Sequence, residues 1–245
     1  MTSPLYMVQM LLPPRLLVLP DASSSRGGNS DDGYLLHSLF ASALGDLAPK
    51  PFHHQTHQRH LEVLAYSTVD AESLLERARL FGKPDFVHAL ETGSSSKPMP
   101  VIATGTRLGF RVNVVPTVRA QGPAFRKGAE IDAWLAARAR EQKKSAEGHS
   151  TIDRETAYAE WMQAALTRHG GATLESLRVT SLRGTRLFRR NKERAFHRLE
   201  QREVVFQGVI TVTDSKDFFT LLKRGVGRHR AFGFGMLLLS PPRST

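Results

Sequence analysis

The chain has 245 residues, with 34 Lys plus Arg against 23 Asp plus Glu, a formal charge of +11 and no cysteine. Disulfides and thiolate metal sites are excluded, a reducing cytoplasm is compatible, and the surplus of cations favours a polyanionic partner such as nucleic acid. The most apolar stretch, residues 11–19, is broken by Pro13, Pro14 and Arg15, so no membrane span and no signal peptide is expected, and a cytoplasmic protein is the simplest reading.

In chain order, residues 5–12 are short, apolar and bounded by prolines, the pattern of a first strand. Residues 21–32 are nearly all Ser, Gly, Asn and Asp, a loop in which Arg26 is the one basic side chain. Asp31 or Asp32 can cap a helix over 33–45 with Leu36, Phe40 and Leu44 on one face. Tyr34 and His37, three residues apart, share a neighbouring face and can address one ligand, and a place in the first turn would put them at the positive end of the helix dipole. His53, His54, His57 and His60 follow. On a helix His53 and His57 would share a face, as zinc ligands do, but no acidic or sulfur ligand accompanies them, so no metal is expected.

Residues 61–66 read as a strand, 70–80 as a helix capped by Asp70, and 97–100 as a turn. In the strand 108–115, Phe110, Val112 and Val114 alternate with Arg111 and Asn113. With room for a short strand near Phe52 or Pro100, the first half has the order of a ferredoxin-like domain. Residues 127–171 hold two helical patterns, consistent with an αα-hairpin joined at Gly148. One carries Trp134, Leu135, Arg138, Arg140, Lys143 and Lys144; the other carries Tyr158, Trp161, Met162 and Leu166. The hairpin is either a packing subdomain or a basic finger gripping an RNA stem, with Arg138, Lys143 and Lys144 on the phosphates. Between Arg178 and Arg202 there are nine Arg or Lys and two Glu. Of these, Arg186, Arg189 and Arg190 are the expected stem contacts, while Arg183 would point to the other face of a strand over 182–188. Strands around 176–188 and across 204–213, a helix over 215–222 and a strand over 236–239 complete a second half that lacks a plain first helix.

Before that last strand, Gly225, Gly227, Gly233 and Gly235 bracket Arg228, His229 and Arg230. Glycine permits positive φ and close approach, and arginine gives bidentate contact to phosphate, so the loop is expected to offer bare amides and basic side chains to an RNA backbone. A plain glycine turn is the alternative. The order helix, loop, strand is neither that of a P-loop nor that of a dinucleotide fingerprint.

The run GVGRHRAFGFGMLLL resembles the C-terminal glycine-rich loop of the CRISPR repeat-processing endoribonucleases of the RAMP superfamily, nearest to the CasE branch of type I-E systems. FQGVITVTD (206–214) with its following helix, Tyr34-Leu-Leu-His37, and LGFRVNVVPT (108–117) are similar to further elements of that family, the last to the strand closing its first domain. The resemblance implies an α+β fold of two tandem ferredoxin-like (RRM-like) domains, here 1–122 and 172–245, with a helical-hairpin insertion over 123–171. It implies a metal-independent, cofactor-free endoribonuclease acting on a CRISPR repeat RNA hairpin. His37 and Tyr34 would be catalytic, cleavage would proceed by 2′-OH attack to a 2′,3′-cyclic phosphate and a 5′-OH, and the crRNA would be retained within a multi-subunit effector complex. Two rivals stand beside it. One is a non-catalytic RNA-binding scaffold. The other is a nuclease like the divergent type IV crRNA-processing subunits, with Arg26 or Arg243 in place of the histidine.

Overall fold

The computed structural model describes residues 4–17, 32–120, 125–126, 128–144, 149–190 and 196–242, with the side chains of 169 and 186–199 left aside. Arg26 and Arg243 therefore lie outside the described residues.

Strand β1 (Tyr6–Leu12) leads to helix α1 (Asp32–Leu44), and then to the hairpin β2 (Phe52–Thr56) and β3 (Leu61–Ser67). Two helices, α2 (Ala71–Phe81) and α3 (Pro84–Gly93), precede β4 (Ser94–Pro98). The sheet order is β2-β3-β1-β4, with each neighbouring pair antiparallel. This is the βαββαβ ferredoxin-like arrangement. Alternation in β1 sends Val8, Met10 and Leu12, all fully buried, into one core with Leu36 and Phe40 of α1 and Phe86 of α3. Asp70 caps α2 by accepting from the Ser73 amide at 2.9 Å.

The second sheet has the order β10-β5-β9-β8, built from β5 (Arg107–Val114), β8 (Ala172–Arg190), β9 (Phe196–Val212) and β10 (Leu238–Ser240). A small hairpin, β6 (Thr117–Arg119) with β7 (Glu130–Asp132), and helix α4 (Ala133–Lys144) come between β5 and helix α5 (Arg154–His169). Helix α6 (Ser215–Arg224) precedes β10. Taking β5, α5, β8, β9, α6 and β10 together, the strand order repeats that of the first sheet.

Two expectations change here. The strand at 107–114 does not close the first sheet. It pairs with β9 and β10, and Phe110, Val112 and Val114 are buried in the second core. The strand that does close the first sheet is the serine-rich β4, which has no apolar alternation to betray it. Likewise α5 is no half of a finger. Its Tyr158, Met162 and Leu166 are fully buried beside Phe218 and Leu221 of α6, so it is the first helix that the second half had seemed to lack. What remains as an addition is the β6–β7 hairpin and α4, whose Ala133 and Ala137 are buried while Arg138, Lys143 and Lys144 are exposed.

Histidines 53 and 54 lie on the strand β2, paired opposite Leu64 and Val63, so the helical spacing behind a zinc reading does not exist. Burial, reinforced by His54 and Arg111 and opposed by Glu62, lowers the His53 imidazole to about 4. The two units are joined by apolar contact, because Leu5 and Tyr66 sit in the second core, and by a buried hydrogen bond from the Tyr66 hydroxyl to the Leu237 carbonyl at 2.9 Å. No described helix is long and apolar enough to cross a membrane.

Strand β5 pairs with β9 only along Val204–Thr211, whereas β8 stays paired out to Arg190 opposite Phe196. The outer part of the β8–β9 hairpin therefore projects past the sheet as a two-stranded ribbon. The backbone of Arg186, Arg189 and Arg190 lies on that ribbon; their side chains are outside the described ones.

Candidate active site

Helix α1 buries Leu36, Phe40, Ala43 and Leu44 against the first sheet, which leaves Tyr34 and His37 half-buried on its flank. His37 lies a full turn or more inside the helix, so the dipole of the first turn contributes less than its expected position implied. What meets the pair is Phe232. Its ring lies 4.7 Å from the His37 imidazole and stacks on Tyr34 at 6.4 Å with planes 9° apart.

Phe232 is delivered by the glycine-rich segment, which is wedged between the two units. A short 3-10 turn over Arg230–Phe232 is entered through His229 in the left-handed conformation (φ 60) and left through Gly233 (φ 88). All four glycines have positive φ. Gly233 lies flat on the first unit: a Cβ there would stand 2.5 Å from Nδ1 of His54 and 3.3 Å from the Phe52 ring. Gly227 lies on α5, where a Cβ would meet the Trp161 ring at 2.9 Å. A Cβ on Gly225 would stand 2.7 Å from the Gly235 carbonyl oxygen, to which the Val226 amide donates at 2.8 Å.

Several of the loop's amides are thus turned inward. Gly225 N–H donates to the Leu221 carbonyl and Gly235 N–H to the Asn113 carbonyl, both at 2.7 Å, and Gly225, Gly233 and Gly235 are buried. The glycines are needed for close packing, a reason the sequence alone does not separate from phosphate binding. His229 is also withdrawn. Its side chain is 3% exposed, and its Nε2 lies 2.6 Å from Oε1 of Glu130, while Arg228 donates to Oε2 of the same carboxylate at 3.0 Å. Of the three basic residues, Arg230 is exposed, donating to the Arg224 carbonyl at 2.5 Å, and Arg228 is half-exposed.

An open groove of about 1520 Å³ runs between the end of β3 and helices α4, α5 and α6, reaching the pair through Phe232 while neither Tyr34 nor His37 lines it. Phe232 lines it. So do the cations Lys50, Arg140, Arg168, Lys223, Arg224, Arg228 and Arg230, against only two acids, Asp46 and Glu160. This concentration of positive charge suits a polyphosphate chain. Arg138, Lys143 and Lys144 are not among the lining residues, and Arg138 lies over the Trp134 ring, 5.4 Å from its centroid. Sequence reading missed Phe232, Lys50, Arg168 and Glu130. Only Phe232, inside the glycine run, carried a local signal.

Burial first, then the nearby Lys50 ammonium, hold the His37 imidazole below its ordinary value, which favours its neutral form. A neutral imidazole can accept a proton from a hydroxyl, as a general base must. If His37 is the base, the acid limb of the reaction falls below the ordinary histidine value of about 6.5. Because Lys50 lowers that value, Lys50→Met moves the limb to higher pH, and added salt shrinks the difference between the two proteins. A pH profile of the single-turnover cleavage rate for both checks this.

Two ferredoxin-like units, locked through a glycine-rich segment that sets an aromatic ring on a histidine–tyrosine pair and that lines a cation-rich groove, define a tandem ferredoxin-like protein. The chain belongs to the CRISPR associated protein family, whose model matches residues 12–241. Among solved structures it is similar to Thermus thermophilus Cse3 bound to an RNA representing a pre-cleavage complex, at 18% identity over 96% of this chain and 99% of that one with a TM-score of 0.57. It is similar as well to the CRISPR-associated protein Cas6e from Escherichia coli K-12, at 16% identity over 97% and 100% of the two chains with a TM-score of 0.54. A chain of a CRISPR RNA-guided surveillance complex in a pre-nicking state matches at 16% identity over 96% and 100%, with a TM-score of 0.56. No curated protein matches the chain.

Proposed function

We propose that this protein is a metal-independent endoribonuclease that cuts CRISPR precursor RNA beside the repeat stem-loop and keeps the crRNA as a subunit of a multi-subunit effector complex in the cytoplasm. The observation that carries this is the neutral-leaning His37, held with Tyr34 against Phe232 at the edge of a groove rich in cations. The structures to which the chain is similar include an endoribonuclease bound to RNA and a chain of an RNA-guided complex, which supports the same reading.

In this mechanism the His37 imidazole takes the proton of the 2′-OH at the cut site. The 2′ oxygen attacks the adjacent phosphorus, and the P–O bond to the leaving 5′ oxygen breaks. The leaving 5′ oxygen takes a proton from water and His37 returns its own to solvent, so the products are a 2′,3′-cyclic phosphate and a 5′-OH. The groove cations, Arg230 and Arg224 foremost, neutralise the phosphates on either side. The projecting β8–β9 ribbon with Arg186, Arg189 and Arg190, and the exposed Arg138, Lys143 and Lys144 of α4, hold the stem by its backbone.

Incubating the protein in EDTA with a labelled repeat hairpin tests this. Cleavage to a cyclic phosphate, abolished by a single 2′-deoxy at the cut site, is the expected result. Tight binding with RNA of unchanged length would leave a non-catalytic scaffold. Resistance of the deoxy substrate with full activity of His37→Ala would transfer the chemistry to an arginine, with Arg26 and Arg243 the ones to replace.

A further inference from the structure

Glu130 is a largely desolvated acid that does not line the groove but pairs with one of its cations, Arg228, and the reaction as written does not use it. Its side chain is 13% exposed. It stands on β7, in the hairpin inserted between β5 and α5, and three polar atoms converge on it. Oε1 meets Nε2 of His229 at 2.6 Å and receives the Thr117 hydroxyl at 3.2 Å, and Oε2 receives Nη1 of Arg228 at 3.0 Å. A carboxylate so desolvated is retained only with its hydrogen bonds made, and bonds to charged donors are the strong ones.

We infer that Glu130 is a positioning residue for the reaction: by clamping Arg228 and His229 it fixes the turn that presses Phe232 onto His37 and Tyr34. The chain of contacts is continuous. His229 adopts the left-handed conformation, uncommon for a side-chain-bearing residue, and its carbonyl accepts the Phe232 amide at 2.8 Å to close the turn. The Phe232 ring then lies 6.3 Å from His229 on one side and 4.7 Å from His37 on the other. Without the carboxylate, the left-handed residue loses the partner that holds its ring, and Arg228, already at the groove wall, loses its anchor. An inserted hairpin from the second unit would thus set the geometry of a histidine on the first unit, although Glu130 and His37 make no contact with each other.

The inference rests on the catalytic reading of His37, so the test has one arm that does not need RNA. In the full-length protein with labelled histidines, the ring protons of His37, identified by their loss in His37→Ala, carry an upfield shift from the Phe232 ring. Glu130→Gln is expected to move them towards the position seen in Phe232→Leu. It is also expected to lower single-turnover cleavage on the order of 10- to 100-fold, the cost of a misplaced catalytic group, with hairpin affinity little changed. His37 resonances and rate both unaltered in Glu130→Gln would overturn the inference. So would a loss confined to RNA affinity, or a slowed reaction with His37 unmoved. Should Glu130→Gln fail to fold, Phe232→Leu decides: full activity there removes the ring through which Glu130 acts. If the wild type cuts no RNA, the functional reading fails, and the resonances still report whether Glu130 governs Phe232.

Discussion

His37→Ala is expected to lower cleavage of a repeat hairpin by about 10²–10⁴-fold, the range typical of a lost general acid or base, while the hairpin still binds. The geometry argues for that separation. His37 is half-buried on the flank of α1, outside the core face made by Leu36, Phe40 and Leu44, so its removal leaves the packing of the helix intact. The groove that would hold the phosphates is lined by other residues, among them Lys50, Arg224 and Arg230. Single-turnover rates and hairpin affinities for the two proteins, measured side by side, separate the roles. A fall in rate without a fall in affinity places His37 in the chemistry or in placing the scissile phosphate. Loss of affinity to the same degree as rate would make it a binding residue. Imidazole added to the His37→Ala protein provides a second readout, because restoration of rate requires that a proton acceptor be what is missing.

The ferredoxin-like order of the first half was legible because its signals are local. Residues 5–12 and 61–66 are short apolar runs, Asp70 caps α2, and Leu36, Phe40 and Leu44 keep helical spacing. What could not be read was membership. The alternation in residues 107–114 is equally consistent with either sheet, and only the pairing with β9 and β10 assigns it to the second. The same holds for α5: its apolar face was visible, but an amphipathic helix does not say which sheet it covers. β4 was invisible because three serines and a lysine-proline form the strand, held by pairing to β1 and by the Ser96 hydroxyl accepting the Ala71 amide at 2.9 Å. At the site, spacing placed Tyr34 and His37 on neighbouring faces of one helix, and the family resemblance singled them out. Their meeting with Phe232 was not legible, since that contact joins residues nearly the whole chain apart. Nor could sequence separate the exposed Arg230 from the buried His229 one residue before it; Glu130, far upstream, makes the difference.

Gly235→Ala is expected to destabilise the free protein by about 3 kcal/mol or more, a backbone of strained φ adding about 1–3 kcal/mol and a main-chain clash the rest. Gly235 has φ +80, and a Cβ there would stand 2.2 Å from the Val226 carbonyl oxygen. That oxygen is backbone and cannot rotate aside. Its neighbourhood is also fixed, since Val226 donates to the Gly235 carbonyl and Gly235 to the Asn113 carbonyl, so relief of the clash must open the crossing of the loop and pull Phe232 from His37. Gly105→Ala is the control, because Gly105 has nearly the same φ, +87, with nothing within 4 Å of the added carbon. Strain alone predicts about 1 kcal/mol there. For a chain of this size each kcal/mol shifts Tm by roughly 2–4 °C, so the two variants separate clearly in thermal unfolding without any RNA present. If the glycines served mainly to let phosphate approach the backbone, Gly235→Ala would melt with the control and lose only hairpin affinity. Melting well below it makes the glycine run a structural lock that sets Phe232 in place, and its effect on cleavage a consequence of that lock.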